Sequence, residues 1–166
     1  MSIRVFLCAL LVGFAGVASA QAQPAKTQPK ASAPAAAPQL TAEQRAALEK
    51  QNQVLSQYAE SIAQMVDNGQ EAKVWENLSE VAKKSTPEKE FISTVTADRT
   101  KLGKVRSRKL AAITRTVSKG GALPAGYYVN VNFATEFGSA TKPVRELVSF
   151  HLDSDKKWRL SGYNVQ

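Results

Sequence analysis

The hydrophobic residues of this chain change their spacing near Gly103, and this change limits the folds open to it. Between residues 41 and 102 they recur every three or four positions, as in amphipathic helices. From Tyr127 onwards they recur every second position, as in strands with one face on a core. Helices followed by a run of strands predict an α+β domain, with the helices packed on one face of a curled antiparallel sheet.

Three N-terminal helices are expected, over residues 41–68, 70–84 and 85–102. The first starts with a capping box formed by Thr41 and Gln44. The third follows a hydroxyl residue and a proline, which favour a helix start. Gly69 and Gly103 are the expected stops of the first and third helices.

About four strands are expected, over residues 104–117, 127–137, 144–153 and 157–165. The second has the clearest alternation, and the short spacing of the last two predicts a hairpin. In the first strand the alternation breaks around residues 110–113, where either a bulge or a helical turn would explain it.

The first twenty residues have the pattern of a cleavable signal peptide. Arg4 gives a positive start, Val5 to Val17 form an apolar run, and Ala18-Ser19-Ala20 is a small-x-small cleavage site. The run would span about 20 Å as a helix, short of the ~30 Å core of a bilayer. We therefore expect export to the periplasm of a Gram-negative bacterium or secretion, with cleavage after Ala20.

Residues 21–40 are expected to form a linker. They hold four prolines among Ala, Gln, Ser and Lys, without an apolar period. The folded domain is then expected over residues 41–166, a usual length for one domain.

The few cysteine and histidine residues exclude several chemistries. Cys8 lies inside the apolar run rather than at the cleavage point, so it would leave with the signal and no lipoprotein anchor is expected. A mature chain without cysteine has no disulfide, no thiol nucleophile and no thiolate zinc site. His151 is the single histidine, and its place on the polar face of a strand predicts a solvent-exposed side chain rather than a catalytic one. We expect no metal and no cofactor.

A set of scattered residues resembles a family of exported bacterial proteins, the domain of unknown function four-zero-one-nine. The resemblance covers about residues 60–165 and rests on Trp75, Ser79, Arg99, Leu102-Gly103, Val105, Ser107-Arg108, Gly126-x-Tyr128, Phe133-x-Thr135-x-Phe137, Glu146, Trp158-Arg159 and Gly162-Tyr163. It implies a periplasmic protein with a cone-shaped fold similar to nuclear transport factor 2-like or cystatin-like proteins. It implies no activity, because such folds hold enzymes and binding modules alike.

Positive charge is concentrated in the second half of the chain. The formal net charge is +8, and no acidic residue stands between Asp98 and Glu136. The basic residues of this stretch are Arg99, Lys101, Lys104, Arg106, Arg108, Lys109, Arg115 and Lys119. Such a segment favours an anionic envelope component or an acidic protein as a partner, and peripheral membrane contact is compatible with it. The alternative is a solvated face or internal ion pairs with the acidic helices. Export disfavours nucleic acid.

Glu146 lies on the otherwise apolar side of its strand, and an inward carboxylate needs a cationic or hydrogen-bonding partner. Arg108 is the first candidate and Arg159 the second. Arg106 is expected on the same face as Arg108 if their strand is regular. The group is either the polar floor of a concave pocket or a buried ion pair that fixes the register of the sheet. We favour the ion pair.

Two functions follow from these patterns. The first, which we prefer, is a periplasmic binding or accessory module that uses its basic strand face, with Arg106, Arg108, Glu146 and Tyr128 as candidate ligand-binding residues. The second is a small enzyme, or a relic of one, whose cone-shaped pocket is lined by Glu146, Arg108, Tyr128 and Thr135. An enzyme needs an open pocket and a carboxyl group with a raised pKa, whereas a filled interior favours the binding module.

Overall fold

A computed structural model describes residues 39–166. Its helices are α1 (Ala42–Asp67), α2 (Glu71–Glu76), α3 (Glu80–Ser85) and α4 (Glu88–Leu102). Its strands are β1 (Val105–Ser118), β2 (Gly126–Phe137), β3 (Val144–Leu152) and β4 (Trp158–Val165). The expected signal peptide, residues 1–20, and residues 21–38 of the expected linker lie outside the described part of the chain.

The four strands form an antiparallel sheet in the order β1-β2-β3-β4, so each strand pairs with the next one along the chain. The sheet is not closed, and β1 and β4 are its edges. The α+β class and the four-stranded sheet are therefore confirmed.

The prediction of three helices is wrong, because the described residues hold four. The expected helix over 70–84 divides into α2 and α3 at residues 77–79. There the backbone of Leu78 forms a bridge with Leu160 of β4, and the amide of Ser79 donates to the Leu160 carbonyl at 2.7 Å. The Ser79 side chain then accepts from the Ala82 amide at 3.2 Å and begins α3. A contact distant in sequence thus interrupts the helical pattern.

Strand β1 is continuous but irregular. Its pairing with β2 shifts between Val105 and Ser107 and again between Leu110 and Ala112. The second shift lies where the alternation breaks in the sequence, so a bulge explains that break and a helical turn does not. The first shift falls at Arg106.

The core lies between the helices and one face of the sheet. From the sheet it takes Val129, Val131, Val148, Phe150 and Leu160, and from the helices Leu55, Ala59, Ile62, Val66, Phe91 and Val95. The capping box at Thr41 and the stops at Gly69 and Gly103, both with positive φ, are present as expected. Within residues 39–166 no helix is both long enough and apolar enough to span a membrane.

Candidate functional site

Glu146 of β3 is fully buried and paired with Arg108 of β1. Arg108 Nε donates to Glu146 Oε2 at 2.6 Å, and Nη2 donates to Oε1 at 3.1 Å. The Arg108 side chain is itself only 7% exposed. The predicted ion pair therefore exists, as a buried and bidentate contact, which is the strongest geometry for a guanidinium and a carboxylate.

Two hydroxyl groups complete the surroundings of Glu146. Thr135 Oγ1 donates to Oε2 at 2.6 Å, and Tyr163 Oη donates to Oε1 at 2.6 Å. Each carboxylate oxygen thus accepts one hydrogen bond from Arg108 and one from a hydroxyl group. A buried charge with this many donors has the compensation that burial requires.

Asp67 extends the network to the helices. Its Oδ2 accepts from Arg108 Nη2 at 2.9 Å, and its Oδ1 accepts from Arg99 Nη2 at 2.8 Å. Arg99 also donates to the Gly103 carbonyl at 3.2 Å, and its guanidinium lies 4.4 Å from the ring centroid of Phe137. The network therefore joins α1, α4 and all four strands.

Sequence analysis did not single out Asp67 as a site residue, although a signal was present. Asp67 is the last residue of α1, and no basic residue stands in the last turn of that helix. A negative charge is unfavourable there because the helix dipole is negative at its C-terminus. An acid in this position indicates a cation from elsewhere in the chain, here supplied by Arg99 and Arg108. Tyr163 was named only among the residues of the family resemblance.

The surroundings of Glu146 hold its carboxyl in the ionised form. Burial alone would raise its pKa, but the hydrogen bonds from Arg108, Thr135 and Tyr163 outweigh burial, and the pKa lies below its usual range. Burial likewise would lower the pKa of Arg108, but Glu146 and Asp67 outweigh it and the pKa is raised. Burial, followed by the charge of Glu146, raises the pKa of Tyr163. These shifts favour a charged Arg108, an ionised Glu146 and a neutral Tyr163.

This arrangement does not suit a general base. A base needs a pKa near the working pH and access to the proton that it takes, whereas Glu146 has a lowered pKa and no exposed surface. A cleft of about 660 Å³ adjoins the network, lined by residues that include Asp67, Glu71, Arg99, Gly103 and Lys104. Glu146 is fully buried and is not among the residues that line this cleft.

Two of the four expected site residues lie away from the pair. Arg106 stands in the β1 irregularity, is exposed, and donates to the Gly138 carbonyl at 2.7 Å. It was expected to share a face with Arg108 only if the strand is regular, and this condition is not met, because the register shift between Val105 and Ser107 falls at Arg106. Tyr128 pairs with His151 on the face of the sheet opposite to Glu146, and its hydroxyl donates to the Pro124 carbonyl at 2.9 Å. It therefore lines no pocket with Glu146.

The expectation that His151 is solvent-exposed is also wrong. It lies on the predicted face but is only 5% exposed, because the ring of Tyr128 lies 5.0 Å away and Gly126 allows close approach. Its Nδ1 lies 2.7 Å from Asp153 Oδ1, while its Nε2 has no hydrogen-bond partner among the described residues.

Arg159, the second candidate partner of Glu146, belongs to this other face. It binds Asp153 at 3.0 Å and both carboxylate oxygens of Asp155 at 2.8 Å. Its hydrogen bond is the main reason that the pKa of Asp155 falls to about 2. Arg108 is thus the cation that pairs with Glu146. Within residues 39–166 no group of three or more His, Asp or Glu side chains is placed to hold a metal ion.

The basic stretch divides into paired and uncompensated cations. Arg99 and Arg108 bind the carboxylates of the network, and Lys101 lies 3.4 Å from Asp98. Arg115 binds only neutral amide oxygens, those of Gln51 and Asn52. The exposed cations of this stretch that have no carboxylate partner among the described residues lie on β1 or directly beside it: Lys104, Arg106, Lys109, Arg115 and Lys119. We call these five residues the basic strand.

The fold and the network define an α+β domain with a buried ion pair in its sheet, which Asp67 and Arg99 connect to the helices. A family model described as "Protein of unknown function (DUF4019)" matches residues 58–163, and the chain belongs to that family. This match confirms the resemblance seen in the sequence. Its residues Arg99, Arg108, Thr135, Glu146 and Tyr163 are members of the buried network. No curated protein and no solved structure matches the chain.

Proposed function

We propose that this protein is an exported, non-catalytic binding module that engages an anionic partner through the basic strand. The observation that carries the proposal concerns the cations in the stretch from Arg99 to Lys119. Arg108 binds the buried carboxylate of Glu146 and Arg99 binds Asp67, whereas the five cations of the basic strand are exposed and have no carboxylate partner among the described residues. Exposed cations gathered on one strand and at its two ends favour an anionic surface or polymer as partner.

The closed surroundings of Glu146 support a binding module over an enzyme. Its carboxylate is fully buried and its pKa is lowered. Both carboxylate oxygens already accept hydrogen bonds from Arg108, Thr135 and Tyr163. A substrate would have to displace these groups to reach it. The network therefore acts as a structural support for the sheet that carries the basic strand.

Location outside the cytoplasm is part of the same proposal, and it rests on the signal pattern of residues 1–20. The cone-shaped fold implied by the resemblance stays a prediction. Mass spectrometry of protein recovered from the periplasm tests the export: an N-terminus at Gln21 is expected. A chain that retains Met1, or one that carries a lipid, would contradict it.

The binding proposal is tested with sodium polyphosphate as a soluble polyanion, titrated into the exported protein at physiological ionic strength. Replacing Lys104 and Lys109 by Glu should weaken the affinity at least about thirty-fold, since each of the two cations near an anionic surface contributes about 1 kcal/mol. The matched control replaces Lys73 and Lys89 by Glu. Both control lysines are exposed on helices, so net charge changes equally while the basic strand stays intact. Equal losses in the two variants would reject a specific role for the strand.

A further inference from the structure

The hairpin that joins β1 to β2 carries exposed apolar side chains at its tip. Val117 is 63% exposed, Tyr127 58% and Leu123 51%. Val117 and Tyr127 are cross-strand partners, and Ser118 Oγ donates to the Leu123 carbonyl at 2.9 Å, which holds the loop against the strands. Apolar side chains exposed together in this way are typical of an interaction surface. We call residues 117–127 the hairpin tip.

Two shallow apolar clefts continue the hairpin tip toward α1. The first, about 300 Å³, is lined by residues that include Val117, Tyr127, Leu152 and Trp158. The second, about 550 Å³, is lined by residues that include Lys50, Val54, Tyr58, Lys157 and Trp158. Trp158 lines both, so the two clefts are adjacent. The Tyr58 ring of α1 packs on Phe150 of β3, with the ring centroids 5.3 Å apart. Val117 and Tyr127, nearer the hairpin tip, are left exposed.

Cations surround this apolar surface. Lys119 lies in the tip, Arg115 precedes it on β1, and Lys50 and Lys157 line the second cleft. The acids of the neighbouring β3–β4 turn, Asp153 and Asp155, are bound to Arg159. On α1, Glu49 lies on the side of the helix away from the cleft-lining stripe of Ala47, Gln51, Val54 and Tyr58. The surface is therefore apolar at its centre and basic at its border.

We propose that the hairpin tip is a docking surface for an anionic lipid bilayer. Leu123, Val117 and Tyr127 enter the interfacial region, where a tyrosine ring is well accommodated, while Lys50, Arg115, Lys119 and Lys157 lie against the lipid phosphates. This charge pattern favours a bilayer over a second copy of the chain, because symmetric pairing of two tips would place their cations together. The inference rests on the proposed function and names the anionic partner.

The test measures binding of the exported protein to vesicles of phosphatidylcholine alone and of phosphatidylcholine mixed with phosphatidylglycerol. Binding is expected only to the mixed vesicles and is expected to weaken as salt is added. Replacing Leu123 and Tyr127 by Ser should lower the affinity for mixed vesicles at least about ten-fold, because binding would then no longer bury two apolar side chains in the bilayer. Leu110→Ser is the matched control, since Leu110 is 51% exposed on β1 outside the tip. It should bind like the wild type.

The same variants titrated with polyphosphate separate this inference from the proposed function. If the Leu123→Ser, Tyr127→Ser protein binds vesicles like the wild type while both bind polyphosphate, the hairpin tip is not the docking surface and the proposal is wrong. If the wild type binds polyphosphate but no vesicles, the proposal is also wrong, and the anionic partner is of another kind. If the wild type binds neither polyphosphate nor vesicles, both the proposed function and the bilayer proposal are wrong. A wild-type dimer in sedimentation that the double variant converts to a monomer would make the tip a self-association surface and overturn the bilayer proposal.

Discussion

Arg108 on β1 and Glu146 on β3 form their ion pair across the intervening strand β2. The guanidinium passes over Thr135, its cross-strand partner on β2, and Arg108 Nε reaches Glu146 Oε2 at 2.6 Å. With Thr135 and with Tyr163 of β4, this carboxylate accepts hydrogen bonds from the three other strands of the sheet. One side chain thus constrains the position of every strand, which is why we interpret the pair as structural.

Replacing Glu146 by Gln removes the charge and keeps the shape. Arg108 retains Asp67 but loses its buried counter-ion, so the free energy of unfolding should fall by ~3–5 kcal/mol. Chemical denaturation measures this, and adding Arg108→Gln should recover part of the loss because both charges are then gone. Glu136→Gln, at an exposed position of β2, is the control and should change the free energy by under ~0.5 kcal/mol. A stable Glu146→Gln protein with no coupling to Arg108 would contradict the structural interpretation.

Tyr163→Phe isolates the hydroxyl contribution. It removes one hydrogen bond to the buried Glu146 carboxylate and should lower the free energy of unfolding by ~1.5–3 kcal/mol, the range for bonds to charged groups. The matched control is Tyr127→Phe, at an exposed position, which should have little effect. Equal stabilities of the two variants would mean that the Tyr163 contact does not support the network.

The parts of this site that could be predicted depend on local periodicity. Alternation along β3 places Glu146 on the core face, and a buried carboxylate requires a cationic or hydrogen-bonding partner. The sequence left Arg108 and Arg159 as candidates for that partner, and the structure shows Arg108. The capping box at Thr41 and the glycine stops are also local signals. They depend on residues within one helical turn, and the structure has them where they were expected.

The remaining features depend on contacts distant in sequence. The division between α2 and α3 comes from the bridge of Leu78 to Leu160. The position of Arg106 depends on a register shift against β2, which composition does not reveal. The burial of His151 depends on Gly126, which lies on a neighbouring strand.

Gly126→Ala tests the close packing around His151. A Cβ at Gly126 would overlap His151 Nε2, and the φ of +154° is unfavourable for a side chain, so we expect destabilisation of ~1–3 kcal/mol. In a His151→Ala background the overlap disappears and the loss caused by Gly126→Ala should shrink. Gly121→Ala is the control: its φ is also positive, but a Cβ there meets no atom within 4 Å. An unchanged loss in the His151→Ala background would reject the packing explanation.

The stability that Glu146 provides should depend on pH with a defined sign. Its folded pKa is lowered, so its contribution is present above the unfolded pKa of ~4.3 and is lost as the pH falls through the folded pKa. The difference in free energy of unfolding between wild type and Glu146→Gln should therefore shrink from pH 7 toward pH 3. Denaturation curves across this range measure it. A difference that grows on acidification would indicate a raised pKa instead.

The most direct test of a closed, non-catalytic interior is the pKa of the Glu146 carboxyl itself. Carbon-13 NMR of the side-chain carboxyl, assigned by comparison with Glu146→Gln, follows its ionisation from pH 7 downwards. Because Arg108, Thr135 and Tyr163 all donate to it, the pKa should lie below the reference value of ~4.3. A pKa well above that value would mark an unpaired, desolvated acid of the kind that catalysis uses, and would contradict the account.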